Sequence, residues 1–107
     1  MKFVVLFEDA PDAPADVRRK HMPEHLAFLE RRSASVNAAG PLSETDGSAA
    51  GGLWVVDAED EAQVRALVEE DPFWCTGLRE SVRIMSWMQV FADGRRLIGA
   101  RAPSGGR

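Results

Sequence analysis

An α+β fold in the order βαββαβ, the split βαβ or ferredoxin-like arrangement with an antiparallel sheet, is what this chain of 107 residues predicts. Two observations carry that expectation. Four β-rich segments alternate in that order with two segments whose apolar residues recur at helical spacing, and no internal repeat interrupts them. The length, with 45% hydrophobic and 28% charged residues, suits one domain with one core.

Residues 2–8 (KFVVLFE) form a short β-rich run and open the fold as a strand. Residues 9–14 carry two prolines and read as a loop. Residues 15–21 make a short helical turn before Pro23, a residue suited to the first turn of a new helix. The main helix then runs to about Ser35. At 100° per residue Met22, Leu26, Leu29 and Ser33 share a stripe, with His25 beside it and Glu24, Glu30 and Arg31 pointing away. Residues 36–44 read as a second strand, in which Gly40-Pro41 marks a bulge or an edge, because proline cannot donate to a ladder. Residues 45–52 form a Gly/Ser/Ala loop, a candidate flap, before a third strand over 53–57. Asp57 or a neighbouring acid caps a helix running through Glu70, with Val64, Leu67 and Val68 as its stripe. Asp71 continues that stripe, and Pro72 disfavours a helical conformation at Asp71, so the carboxylate belongs at a helix end. After a turn over 73–78, residues 80–91 read as a long final strand. A hairpin turn over 92–95 leads to a short strand at 96–99, and 102–107 read as disordered.

Composition narrows the function classes. Net charge is −4, but residues 1–91 carry 9 Lys/Arg against 16 Asp/Glu, whereas residues 92–107 carry 4 Arg against one Asp. An acidic body repels phosphate backbones, so no nucleic-acid partner is expected. No apolar run reaches the roughly 20 residues of a membrane span and no signal peptide is evident, which predicts a cytoplasmic protein with no membrane partner. A lone Cys75 excludes an internal disulfide, and one cysteine with two histidines gives no metal signature.

The strands are apolar on both faces, as in Val4/Leu6 against Phe3/Val5/Phe7 and Leu53/Val55 against Trp54/Val56. Two helices cover one face only. A second copy packed sheet to sheet covers the other, so a two-fold homodimer through the sheet face is predicted.

His25 and Asp71 each sit at the edge of an apolar helical face, where an imidazole or carboxylate entering the interior needs a partner. Together they read as an acid/base dyad: the carboxylate fixes the imidazole tautomer and the other ring nitrogen moves a proton. The plainer alternative is a hydrogen bond that only satisfies two buried groups. His21 lies four residues before His25, yet no third ligand accompanies the pair, and a solvated surface histidine is the simpler reading. Cys75 reads as a buried structural thiol rather than a nucleophile. Phe73 and Trp74, with Trp54 and Trp87, are candidates for the wall of an aromatic pocket or for core and interface. Gly40, Pro41 and Ser43 are candidates to line that pocket, although edge-strand geometry explains the Gly-Pro pair equally well. Arg79 or Arg83 could bind a substrate anion, with exposed arginines facing nearby acids as the default.

The segments Met-Pro-Glu-His-Leu-Ala-Phe-Leu (22–29), Ala-Ala-Gly-Pro-Leu (38–42), Asp-Gly-Ser-Ala-Ala-Gly (46–51), Asp-Pro-Phe (71–73) and Ser-Val-Arg-Ile-Met-Ser-Trp (81–87) resemble, in that order, the YCII (YciI-like) family. The resemblance covers residues 2–91, so 1–91 reads as one YCII-like domain and 92–107 as a C-terminal hairpin strand and basic tail. It implies a dimeric α+β barrel with a His–Asp pair at His25 and Asp71, and a family that includes a cofactor-free dehydrochlorinase. Three functions are then in play. One is a cofactor-independent lyase or isomerase working on a small cyclic or aromatic metabolite. The others are a cofactor-free monooxygenase and a non-catalytic small-molecule-binding dimer. Fold alone does not choose among them.

Overall fold

The computed structural model describes residues 1–99. Its elements are β1 (Lys2–Asp9), α1 (Val17–Arg31), β2 (Val36–Ser43), β3 (Ala49–Asp57), α2 (Glu61–Glu70), β4 (Arg79–Ser86), β5 (Phe91–Ala92) and β6 (Arg95–Arg96). β1 to β4 form one antiparallel sheet in the order β2-β3-β1-β4, so the fold is α+β and ferredoxin-like as predicted. Alternation puts Phe3, Val5, Phe7, Trp54 and Val56 on one face, where they pack with Phe28 of α1 and Val64, Leu67 and Val68 of α2. Val4, Leu6, Leu53, Val55 and Met85 point to the opposite face and are half-buried.

Several boundaries differ from expectation, each for a local reason. α1 does not break at Pro23 but runs through it as a single helix. An interior proline costs about 3 kcal/mol. Val17 before it and Phe28 after it are both buried, each worth roughly 1.5–3 kcal/mol, so one continuous buried face outweighs the break. That face is centred on His25 and Phe28 rather than on Leu26, which is half exposed. Arg32 closes the helix by donating its N–H to the carbonyls of Phe28 and Leu29, short of Ser35.

β3 begins at Ala49, not Leu53, because the Gly-rich stretch is paired on both sides: Gly51 lies opposite Glu8 of β1 and Leu42 of β2. A Cβ on Gly51 would collide with the Phe7 carbonyl oxygen, so the ladder closes there only around glycine. The expected flap thus shrinks to a tight turn, held by the Asp46 carboxylate accepting from the Ser48 N–H and hydroxyl.

β4 ends at Ser86, before the expected limit of Phe91. Residues 91–96 fold back as a separate β5–β6 hairpin around Asp93-Gly94, both at positive φ, the signature of a two-residue hairpin turn. The strand expected at 96–99 is therefore limited to Arg95–Arg96. The disorder expected at 102–107 lies outside the described residues.

Candidate active site

α2 delivers the carboxylate. Asp60 caps its start by accepting from the Gln63 N–H, while the Gln63 side chain accepts from the Glu59 N–H. At the other end Pro72 forces Asp71 out of helical conformation, to φ −62° and ψ 132°, so its side chain turns beneath the sheet's helix-covered face. The following residues wind into a turn in which the Phe73 N–H donates to Asp71 Oδ1 at 3.2 Å.

α1 delivers the imidazole. His25 Nδ1 lies 2.8 Å from the same Asp71 Oδ1, with His25 8% and Asp71 2% exposed. Burial alone pushes the Asp71 carboxyl up. The His25 hydrogen bond, the Arg79 charge, the charge of His25 and the Phe73 amide together outweigh it and hold the group below the ordinary carboxylate range. An ionised carboxylate only accepts, so Nδ1 carries the proton and donates, which leaves Nε2 as the basic nitrogen. The ring is braced by Phe73, with centroids 4.7 Å apart, and stacks over Trp54 at 6.3 Å.

β4 delivers a third group. Arg79 is not an exposed strand arginine: its side chain is 9% exposed and Nη1 sits 2.7 Å from Asp71 Oδ2. The guanidinium carbon lies over the Phe7 ring, 3.8 Å from its centroid, and within 6 Å of the centroids of Phe73 and Trp54. Burial draws its pKa down against the opposing pull of Asp71. A register shift places it there. β1–β4 pairing runs Glu8↔Ser81 and then Asp9↔Arg79, so Glu80 is an extra residue that turns Arg79 to the helix-covered face.

Above this cluster α1 and the β2–β3 corner leave a cleft of about 90 Å³. It exists because Ala39, Gly40, Pro41 and Gly52 offer little side chain to fill the space. His25, Arg79, Arg18, Met22, Trp54 and Phe73 complete most of its wall. Arg18 is held by a two-pronged ion pair to Asp9 at 2.9 and 3.0 Å.

Of the pocket residues expected from sequence, Gly40, Pro41 and Phe73 line this cleft, and Ser43 and Trp74 do not. Ser43 is exposed at the end of β2, beyond the corner. Trp74 is 44% exposed and borders a different hollow with Arg65 and Glu80. Cys75 is exposed rather than buried. His21 pairs with Glu24 at 3.1 Å, and no group of three or more His, Cys, Asp or Glu among the described residues is arranged to hold a metal. No helix among the described residues is long and apolar enough to cross a membrane.

Fold and cluster define a small ferredoxin-like α+β domain with a buried imidazole–carboxylate–guanidinium group beneath an apolar cleft. The chain belongs to the YCII-related domain family, whose model matches residues 1–88. No curated protein sequence matches it. Among solved structures it is similar to 5-chloro-2-hydroxyhydroquinone dehydrochlorinase from Burkholderia phenoliruptrix AC1100, in complex with 2,5-dihydroxybenzoquinone, at 29% identity and a TM-score of 0.72, covering 82% of this chain and 94% of that one. It also matches Rv0793 from Mycobacterium tuberculosis at 12% identity and a TM-score of 0.47, covering 82% and 94% of the two chains. At3g17210 from Arabidopsis thaliana matches at 11% identity and 0.45, covering 86% and 97%.

Proposed function

We propose that this protein is a small enzyme of lyase or isomerase type, in which His25 moves a proton on a cyclic or aromatic metabolite and Asp71 positions the imidazole. The observation that carries this reading is the buried 2.8 Å bond between His25 Nδ1 and Asp71, set against an apolar cleft that the His25 ring lines. With Nδ1 committed to the carboxylate, Nε2 takes a proton from a carbon next to a carbonyl, and Asp71 stabilises the imidazolium that forms. The proton then returns at another position, or a leaving group departs. The similarity to a dehydrochlorinase supports elimination as one such outcome. At about 90 Å³ the cleft is smaller than the roughly 150 Å³ cavity that encloses benzene, so the substrate inserts one ring edge and leaves the rest outside.

The proposal includes a homodimer. Val4, Leu6, Leu53, Val55 and Met85 form an apolar face opposite the helices, and an isologous sheet-to-sheet contact buries it twice over.

The test is solvent-deuterium incorporation, followed by NMR, into a panel of enolisable hydroxyquinones and lactones. Wild type should exchange or convert at least one of them, and His25→Ala should lower that rate by roughly 10²–10⁴-fold. Binding without exchange or turnover across the panel would instead identify a ligand-binding dimer. Oxygen consumption coupled to product would identify a monooxygenase.

A further inference from the structure

We infer that Arg79 is the oxyanion-binding residue of this site, so that the cleft selects ligands carrying an ionised or carbonyl oxygen on the ring edge that enters it. The inference rests on the proton-transfer reading above and adds the group that receives the electrons. Arg79 and His25 both contact Asp71 and both line the cleft, which places a guanidinium and a base at one ring edge.

The unusual feature is how little of Arg79 the protein uses. Among the described residues its guanidinium makes one ion pair, through buried Nη1 to Asp71 Oδ2, and no other protein acceptor meets it. A guanidinium carries five N–H donors. Phe7, Phe73 and Trp54 meet it with aromatic rings, which hold a cation but accept no conventional hydrogen bond. The N–H donors that Asp71 does not take have no protein acceptor among the described residues, and the residue lies at a cleft wall beside a base. Asp71 balances one cationic charge there, and an arriving oxyanion supplies the acceptors that the wall lacks.

His25 Nε2 takes the proton from a ring carbon, the C–H pair becomes a C=C bond, and the carbonyl π pair moves to oxygen against Arg79. The enolate then collapses, re-forming the carbonyl. Either a neighbouring carbon expels its leaving group with the bonding pair and the imidazolium returns its proton to water, or another ring carbon takes that proton back. Preorganised donors aimed at the developing charge are a large contribution to such steps.

The experiment compares 4-nitrophenolate with neutral 4-nitroaniline, of nearly the same size and shape, by spectrophotometric titration at a pH where the phenol is ionised. Wild type should bind the phenolate roughly 10–100-fold tighter, as charge-assisted hydrogen bonds imply. Arg18→Met should keep that preference, and Arg79→Met should reduce it to threefold or less. Where Arg79→Met does not fold, Arg79→Met/Asp71→Asn removes both buried charges and carries the same measurement. No phenolate preference in wild type, binding of neither probe, or a preference that survives Arg79→Met or is lost with Arg18→Met overturns the inference. Deuterium exchange on the same proteins separates the two claims. Exchange without phenolate preference refutes Arg79 alone, whereas phenolate preference without exchange refutes the proton-transfer function alone.

Discussion

Asp71→Asn should be among the most damaging near-isosteric changes in this protein, through Arg79 rather than through lost volume. The Asp71 side chain is fully buried and that of Arg79 is 9% exposed, so removing the carboxylate charge strands a guanidinium away from water. Breaking a buried pair from one side costs about 3–5 kcal/mol. The low end applies, since an asparagine oxygen still accepts from the Phe73 N–H that now bonds Asp71 Oδ1. A loss of about 3 kcal/mol is a large share of the roughly 5–15 kcal/mol that holds a domain together. At about 4 °C per kcal/mol it lowers Tm by roughly 12 °C. Urea unfolding followed by circular dichroism gives the quantity directly, and a double-mutant cycle with Arg79→Met isolates the pair. Each single substitution should cost about 3 kcal/mol, while the double variant, with both charges gone, should cost far less than their sum, giving a coupling of about 2 kcal/mol or more. Additivity within about 0.5 kcal/mol would refute the buried pair as the cause.

The same carboxylate should shape the acid limb of stability. Its folded-state pKa lies below the ordinary value of about 3.9, so its contribution is complete above that value and is lost as pH falls through the depressed one. Below about pH 4 wild type should therefore lose stability more steeply than Asp71→Asn, and parallel curves would contradict it. Gly51→Ala should destabilise by about 3 kcal/mol or more, the upper end of overpacking, because the new Cβ meets the Phe7 backbone rather than a side chain that can swing aside. Thermal melts showing no change would mean that β1 and β3 part easily. Leu6→Glu, on the sheet face away from the helices, should convert the proposed dimer to a folded monomer by light scattering, and a wild-type monomer would remove that proposal.

Where one physical signal dominated, the chain could be read directly. Period-two strands and the Val64/Leu67/Val68 stripe placed β1 and α2 closely, and Pro72 placed Asp71 at a helix end for the reason the structure shows. Local rules failed where tertiary contacts outweighed them. Pro23 signals a break, but the residues buried on both sides of it lie on a single face. The Gly-rich stretch of residues 49–52 signals a loop, yet strands on either side supply ladder partners that no local propensity reveals.

The site divides along the same line. His25 and Asp71 were legible because a lone ionisable group bordering an apolar stripe needs a partner. Arg79 was named only alongside Arg83 as a candidate anion binder, and its place against Asp71 was hidden, since strict alternation from Val82 and Ile84, which pack against the core, assigns odd-numbered residues of β4 to the opposite face. One residue changes that assignment. Glu80 has no partner in the β1–β4 ladder, and by stepping out of register it returns Arg79 to the side of Asp71. Had β4 kept its register, the guanidinium would point to the face proposed for the dimer, and Asp71 would have lost its ion-pair partner. The bulge therefore belongs to the site as much as the side chains do, and a sequence signal for it is present only as Gly77, at φ +82°, just before the strand. That glycine lets the turn after Phe73 close and deliver Arg79 to a bulged strand end, where bulges commonly re-aim a side chain.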